Sequence, residues 1–253
     1  MTISAKTWQA FIQRLARINA AAGDEMRKYI ARYGLDDANA LIRYAYALVT
    51  KYGEASASLA ADMYDAIAAL SGVSLPPAVA APTAAYGDTA AAMYATAASG
   101  SPEQVAAAIE RLVKLPSADT MLQNAIRDQA EFAWIPSGDT CAFCLAVASR
   151  GWQPASKKIL KGGHAEHIHG NCDCMFCIRF DPFSEVAGYN NGERYREMYD
   201  DAEGRSSADK INSMRRKFYQ QNSDEINAQK RDAYEKRKER ESSAAEEGDA
   251  GTP

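Results

Sequence analysis

The chain has 253 residues with a formal net charge of −4; 47% of its residues are apolar and 9% are aromatic. This acidic balance gives the whole molecule no electrostatic attraction to nucleic acid or to an anionic membrane. Alanine supplies much of the apolar share, which favours close helix packing over a sheet-rich core, so we expect a mainly α protein. The N-terminus lacks a secretory signal, and charges interrupt every run that approaches the ~20 apolar residues of a membrane-spanning helix. We therefore expect a soluble protein made in a reducing cytoplasm.

The N-terminal helical region, residues 1–73, is predicted from apolar periodicity. Apolar side chains recur at steps of three and four up to Gly34, which predicts one long helix ending at that glycine. Asp36 is placed to cap a second helix that ends at Gly53, and a third helix is expected to end at Gly72. The region should therefore be a multi-helix body.

Residues 74–83 are rich in proline and alanine and should interrupt the helices. Each proline lacks an amide N–H and clashes with the preceding helical turn, so this segment is predicted to be a linker or a crossing loop. A second helical region, residues 84–134, follows it and opens with an alanine-rich helix.

A capping box marks the next helix start. Ser101 is followed by Pro102 at the first helical position and by a glutamine three residues after the serine, which predicts a helix to about Leu115. A further helix, capped near Ser117, should run to about Ala133.

The C-terminal third divides into three parts. Residues 135–183 form a cysteine and histidine module with few helix-length periodic runs and little expected β structure. Residues 184–240 are predicted to hold a turn, a short helix and then a long charged helix from Ser207 to about Arg240. Residues 241–253 have the composition of a disordered tail.

The five cysteines and three histidines of the chain all lie within residues 141–177. In a reducing cytoplasm, clustered cysteines bind metal more often than they form disulfides. A C-x-x-C pair, a loop and an H-x-x-C-x-C group together offer the four tetrahedral ligands that a structural zinc ion requires. Binding of such an ion contributes ~10 kcal/mol or more, enough to stabilise a small module. The candidate ligands are Cys141, Cys144, His169, Cys172 and Cys174.

Three other interpretations of the cysteines stay open. Reduced cysteines often pack in a core, and five cysteines could also hold an iron–sulfur cluster. Cys174 and Cys177 form a second C-x-x-C that could replace one of the ligand pairs. A redox dithiol is less well supported, because no βαβ pattern surrounds the first pair.

A catalytic alternative rests on His164 and Glu166, which resemble the H-x-E of zinc deaminases. Only seven residues separate Glu166 from Cys174, whereas the scaffold between the corresponding deaminase motifs needs a dozen or more. The segment HIHGN is a weak candidate for a zinc-associated nuclease. A tetrahedral ion with four protein ligands has no open position for water, so we expect no enzymatic activity.

Basic side chains flank the cysteines and also occur in the C-terminal helix. Those near the cysteines could offset the charge of zinc-bound thiolates or contact phosphate, although solvated loop lysines are commoner. Those of the helix have acidic neighbours further along the chain, Asp232, Glu235, Glu239 and Glu241, which favours an ordinary exposed helix. Whether its thin apolar stripe binds another subunit or DNA stays open. The two basic groups are Lys157, Lys158, Lys161, Arg150 and Arg179, and Arg215, Arg216, Lys217, Lys236, Arg237, Lys238 and Arg240.

The arrangement D-T-C-x-x-C from Asp139, A-S-R-G at 148–151 and H-x-x-C-x-C from His169 resembles the MuF-like minor capsid and head morphogenesis proteins of tailed bacteriophages. Many of those proteins have proline after the histidine and arginine between the last two cysteines, where this chain has Gly170 and Asp173. The ligand types are nevertheless retained.

This resemblance implies a structural protein of the virion, present in few copies in the phage head and made in the host bacterial cytoplasm. It implies association with the portal protein and the major capsid protein, a role in head assembly or genome delivery, and contact with the packaged DNA. The metal-binding positions implied are Cys141, Cys144, His169, Cys172 and Cys174.

Overall fold

The computed structural model describes residues 3–98, 100–136, 141–156, 174–184, 186, 189, 192–221, 223, 227 and 231. The chain forms two compact units, residues 1–198 and 199–253. The described residues are mostly helical with one small sheet, so the predicted mainly α fold is confirmed. Within this part of the chain, no helix is both long and apolar enough to cross a membrane.

The helices and strands are numbered in chain order. The helices are α1 (Ala5–Tyr33), α2 (Ala38–Leu70), α3 (Tyr86–Ala97), α4 (Pro102–Arg127), α5 (Ala142–Ala148), α6 (Gly192–Asp200) and α7 (Ser207–Gln221), and the strands are β1 (Glu131–Ile135), β2 (Gln153–Pro154) and β3 (Met175–Arg179).

Local capping groups define both ends of α1. The Ser4 hydroxyl accepts the backbone N–H of Thr7 at 3.1 Å, and Gly34 ends the helix with a φ of 73° while its N–H donates to the Ile30 carbonyl. This left-handed conformation favours glycine, which is why the predicted stop at Gly34 is confirmed.

The helices predicted on either side of Gly53 are a single helix, α2. Its cap is Asp37, which accepts the Ala40 N–H at 2.9 Å, and not the predicted Asp36. A Cβ at Gly53 would lie 2.8 Å from Cγ2 of Thr83, so the glycine lets another segment approach the helix closely. The prediction of a helix end was wrong because glycine also serves packing within helices.

The predicted break before Ser117 was also wrong, since α4 continues through Pro116. A proline inside a helix leaves carbonyl groups of the preceding turn without their usual N–H partners. Here side-chain hydroxyls donate to nearby carbonyls: Ser56 of α2 to Val113, and Ser117 to Lys114. These bonds add to the hydrogen bonding of the turn that precedes the proline. The start of this helix, with Ser101 as its cap, is confirmed.

The predicted helix to about Ala133 was wrong as well, because α4 ends at Arg127 and β1 follows. Gln129 has a φ of 56° and turns the chain between the two elements. Strand β1 is the centre of the sheet and pairs antiparallel with both β2 and β3. Its sequence EFAWI is a short apolar and aromatic run ended by proline, as buried strands often are.

Two groups of buried side chains lie within the first unit. The helical core is aliphatic and includes Met26, Leu41, Val49, Met93, Ile109 and Val113. The sheet-side core joins the sheet to the other end of the long helices and includes Trp8, Phe11, Tyr64, Met121, Phe132, Trp134, Phe176 and Ile178.

Residues 74–83 have no regular secondary structure and bind both α2 and α4, and we call them the strap. Side chains of those helices provide hydrogen bonds to its backbone. The Asn124 side chain bonds both the N–H and the carbonyl of Val79, each at 2.9 Å, and the Thr120 hydroxyl accepts the Ala81 N–H. Side chains of helices therefore provide the backbone hydrogen bonds that a neighbouring strand provides in a sheet.

Candidate metal centre and its surroundings

The first predicted ligand pair lies at the start of α5. Cys141 is the N-cap residue and Cys144 is three residues further on in the first turn, so the two side chains occupy the same side of that turn. Cys144 is buried and Cys141 is half-buried against the sheet-side core. A helix N-terminus also favours a thiolate over a thiol. The spacing and position both suit a metal-binding pair.

Cys174 comes from the other end of the cysteine window and reaches the same core. It immediately precedes β3 and is 1% exposed. Because β3 pairs with β1, and α5 packs on β1, the sheet brings a residue thirty positions away towards the region of the first pair.

Cys177 is the one described cysteine that lies within a strand. It lies within β3, opposite Ala133 of β1, and is fully buried. Burial raises the pKa of its thiol to about 12, so it remains neutral at pH 7. Successive side chains of a strand alternate between its faces, so residues three apart in extended chain point in opposite directions. The alternative pair Cys174 and Cys177 is therefore poorly arranged to bind one ion.

The other candidate residues of the window lie outside the described residues. Within the described ranges, no three His, Cys, Asp or Glu side chains form a group that could hold a metal. The predicted ligand set therefore stays a prediction, with three of its members described. Outside the description are His164, Glu166, His169, Cys172, Lys157, Lys158 and Lys161.

Arg179, considered from the sequence as a cation that could offset thiolate charge or contact phosphate, interacts with two neighbours. Its Nε donates to the Glu131 carboxylate at 2.7 Å, across the β1–β3 pair. Its guanidinium also lies 4.5 Å from the ring centroid of Trp152. The Glu131 carboxylate compensates the charge of Arg179. Arg179 should therefore attract thiolates or phosphate less strongly than an unpaired arginine would.

A pocket of about 540 Å³ opens beside this arginine. Trp152 and Tyr189 form one wall, with ring centroids 5.0 Å apart, and burial raises the pKa of Tyr189. Gly151 adopts a φ of 67°, and a Cβ there would lie 3.0 Å from the tyrosine hydroxyl oxygen. The Arg-Gly dipeptide of the sequence therefore ends α5 and admits Tyr189.

The sequence did not predict this pocket, although one signal was present. Asp181-Pro182 is a common turn start, and the Asp181 carboxylate accepts the Phe183 N–H at 3.0 Å. The turn leaves Phe183 92% exposed at the pocket rim. A rigid turn that displays an aromatic ring can be inferred from such a motif, but its position beside Trp152 cannot.

With this architecture described, comparison with known proteins assigns the chain to the viral proteins. Residues 2–202 match the VG15 protein family, and the chain belongs to that family. The matched range includes the four long helices, the sheet and the whole cysteine window. Neither a curated protein nor a solved structure is significantly similar to the chain.

Proposed function

We propose that the chain is a structural minor capsid protein of a tailed phage, of the MuF-like group. The observation that carries the proposal is membership of a viral family over residues 2–202, a range that contains both the helical body and the cysteine motif. The fold is compatible with this role, because long packed helices offer extended outer faces for contacts with other subunits. The proposed role is head assembly or genome delivery.

The proposed partners are the portal protein, the major capsid protein and the packaged DNA. We propose that the protein is made in the host cytoplasm and is located in the virion head. We propose no catalytic residue, since a metal with four protein ligands can only stabilise structure. This distinguishes the protein from a zinc hydrolase or deaminase acting through His164 and Glu166.

We further propose a structural zinc ion bound by residues from both sides of the window. The common turn of Cys141 and Cys144 and the position of Cys174 before β3 support it. Zinc would hold these thiolates together with ligands from the intervening segment, and its role would be to fasten that segment to the sheet-side core. The proposed ligands are drawn from Cys141, Cys144, His169, Cys172 and Cys174.

Zinc content of the purified full chain tests the metal site. The wild-type protein should contain a single zinc ion, and Cys141→Ser should lose most of it and unfold at a lower temperature. Cys177→Ala is the matched control, because its thiol is buried in β3 and should not bind the ion. Equal zinc content in the two variants, measured on folded protein, would contradict the proposed ligand set.

Mass spectrometry of purified phage heads at successive assembly stages tests the structural role. The protein should be present in heads of at least one stage, in few copies, and should copurify with the portal. Absence from every stage would contradict the role. A Glu166→Gln phage should assemble normally, whereas assembly failure with intact folding and zinc content would favour the enzymatic alternative.

A further inference from the structure

The exposed side of α7 carries mainly polar and basic side chains. Positions three and four apart share a face of a helix. Within α7 the residues on this face are exposed, and beyond Asp209 in the first turn they carry amide, guanidinium and phenol groups. They are Asn212, Arg215, Arg216, Tyr219 and Gln220.

The opposite side of α7 faces its own unit. Met214 is 3% exposed. The two lysines of the helix donate to backbone carbonyls of the preceding segment, Lys210 to Tyr199 at 3.1 Å and Lys217 to Asp201 at 3.3 Å. The lysines therefore bind the end of the preceding helix, whereas the two adjacent arginines are exposed.

The charge of this helix is unbalanced. Residues 207–221 contain four basic residues and one acidic residue, Asp209. The Asp209 carboxylate accepts the Ser206 N–H at 3.0 Å, while the Ser206 hydroxyl accepts the Asp209 N–H at 3.2 Å. These bonds hold the pKa of Asp209 below its usual value, and they tie the carboxylate to the helix start. Arg216 also helps to lower the pKa of Asp209, and Arg215 donates to the Asn212 side chain at 3.5 Å. No ion pair within 4.0 Å between described residues involves either arginine.

We propose that this face of α7 binds the sugar–phosphate backbone of duplex DNA. Guanidinium, amide and phenol groups all donate hydrogen bonds to phosphate oxygens, and such contacts position a protein on DNA without reading its sequence. A protein partner fits less well, because protein interfaces usually have an apolar centre and this face offers a single ring, Tyr219. The inference rests on the proposed function only for the source of the DNA, the packaged genome.

Fluorescence anisotropy tests the proposed DNA binding. It measures binding of the purified full chain to a mixed-sequence duplex of about 30 base pairs, between about 50 and 200 mM salt. The double variant R215Q/R216Q should bind about tenfold more weakly per arginine removed. The slope of log K against log salt should fall by about 2. The double variant R215K/R216K should retain most of the binding, because it keeps the charge.

The matched control is R14Q/R17Q, which removes the same charge from exposed positions of α1. It should bind DNA as the wild type does. Lack of wild-type binding at about 50 mM salt would overturn the proposal. So would equal weakening of DNA binding by R215Q/R216Q and R14Q/R17Q. Either result would favour a protein partner for this face. Because the assay needs no phage head, its failure is separate from failure of the virion role.

Discussion

The helical core and the sheet-side core share the same long helices but differ in the side chains that fill them. In the described part of the chain, the helical core buries aliphatic residues and methionine, and its tyrosines, such as Tyr29 and Tyr44, lie at its edge. The sheet-side core instead buries large rings, including Trp8, Trp134 and Phe176. The first core is built from repeated small contacts, whereas the second depends on a few large side chains.

This difference shows how one set of long helices can contribute to two different cores. Aliphatic side chains at helical spacing bring α1, α2 and α4 together along their length. Rings from distant positions then attach the sheet to one end of that bundle. The Tyr64 ring of α2, for example, contacts Phe180, which directly follows β3, edge to face with ring centroids 5.8 Å apart. The described cysteines belong to the attached part, so their geometry depends on long-range contacts.

The largest expected effect comes from truncating a ring of the sheet-side core. Phe176 is fully buried and its ring centroid lies 4.5 Å from that of Trp134. Phe176→Ala should therefore destabilise the protein by about 3–5 kcal/mol, because it removes burial and leaves a cavity. The fully solvent-facing Phe183 provides the control, and Phe183→Ala should change stability by less than about 0.5 kcal/mol.

Urea unfolding of the Phe176→Ala variant, followed by two probes, shows whether the sheet-side core and the helices unfold together. All three tryptophans, Trp8, Trp134 and Trp152, belong to or pack against the sheet-side core, so their fluorescence reports on it, whereas far-UV circular dichroism reports on the helices. Shared helices should make the two transitions coincide. A fluorescence transition that moves alone in Phe176→Ala would show that the sheet-side core unfolds independently.

A smaller effect is expected where the strap meets α2. Gly53→Ala should destabilise the protein by about 1–3 kcal/mol, because the new methyl group would displace Thr83. Gly87→Ala is the matched control in α3, where no atom lies within 4 Å of the added Cβ. It should stabilise the protein by up to about 1 kcal/mol through helix propensity. Equal stabilisation by both substitutions, measured by thermal unfolding, would show that the strap can move away from α2 without loss of stability.

The smallest effects concern pH and have opposite signs in the two regions. The Arg127 guanidinium holds the pKa of Asp128 below its usual value. Burial raises the pKa of Glu110, which packs against Gly23, and Arg27 offsets this only in part. The contribution of Asp128 is present above the unfolded-state pKa of about 3.9 and is lost as pH falls through the folded-state value. The contribution of Glu110 is present below about pH 4.3 and is lost as pH rises through its folded-state pKa.

Unfolding free energies across this pH range should separate the two carboxyls. The advantage of wild type over Asp128→Asn should shrink as pH falls below about 4. Relative to Glu110→Gln, wild type should instead lose stability as pH rises above about 4.3. Parallel stability curves for wild type and either variant would show that the corresponding carboxyl has the same pKa in both states.

Periodicity predicted the helical core well because it is a local property of the sequence. The stops predicted at Gly53 and before Ser117 failed for a non-local reason: the residues that make these positions tolerable, Thr83 and Ser56, come from elsewhere in the chain. Strand β1 was missed for the same reason, since the four apolar residues after Glu131 become a strand only when partners pair with them.

The candidate site shows the same division. The spacing of Cys141 and Cys144 is a local feature and could be interpreted from the sequence alone. The position of Cys177 could not be predicted without the strand, because only the β1–β3 register places it opposite Ala133 in the core. The pocket formed by Trp152 and Tyr189 depends on contacts between distant residues, which a single sequence does not encode in an obvious pattern.

The order of the strands has a consequence for the segment that joins β2 to β3. Both strands are antiparallel to β1 and therefore parallel to each other on its two sides, and the register places the end of β2 and the start of β3 at opposite ends of β1. A connection between parallel strands is a crossover of a dozen residues or more and is nearly always right-handed. The topology thus requires a long segment between Pro154 and Met175 whether or not an ion is bound. A variant that shortens it to a hairpin-sized turn should lose the β3 pairing first.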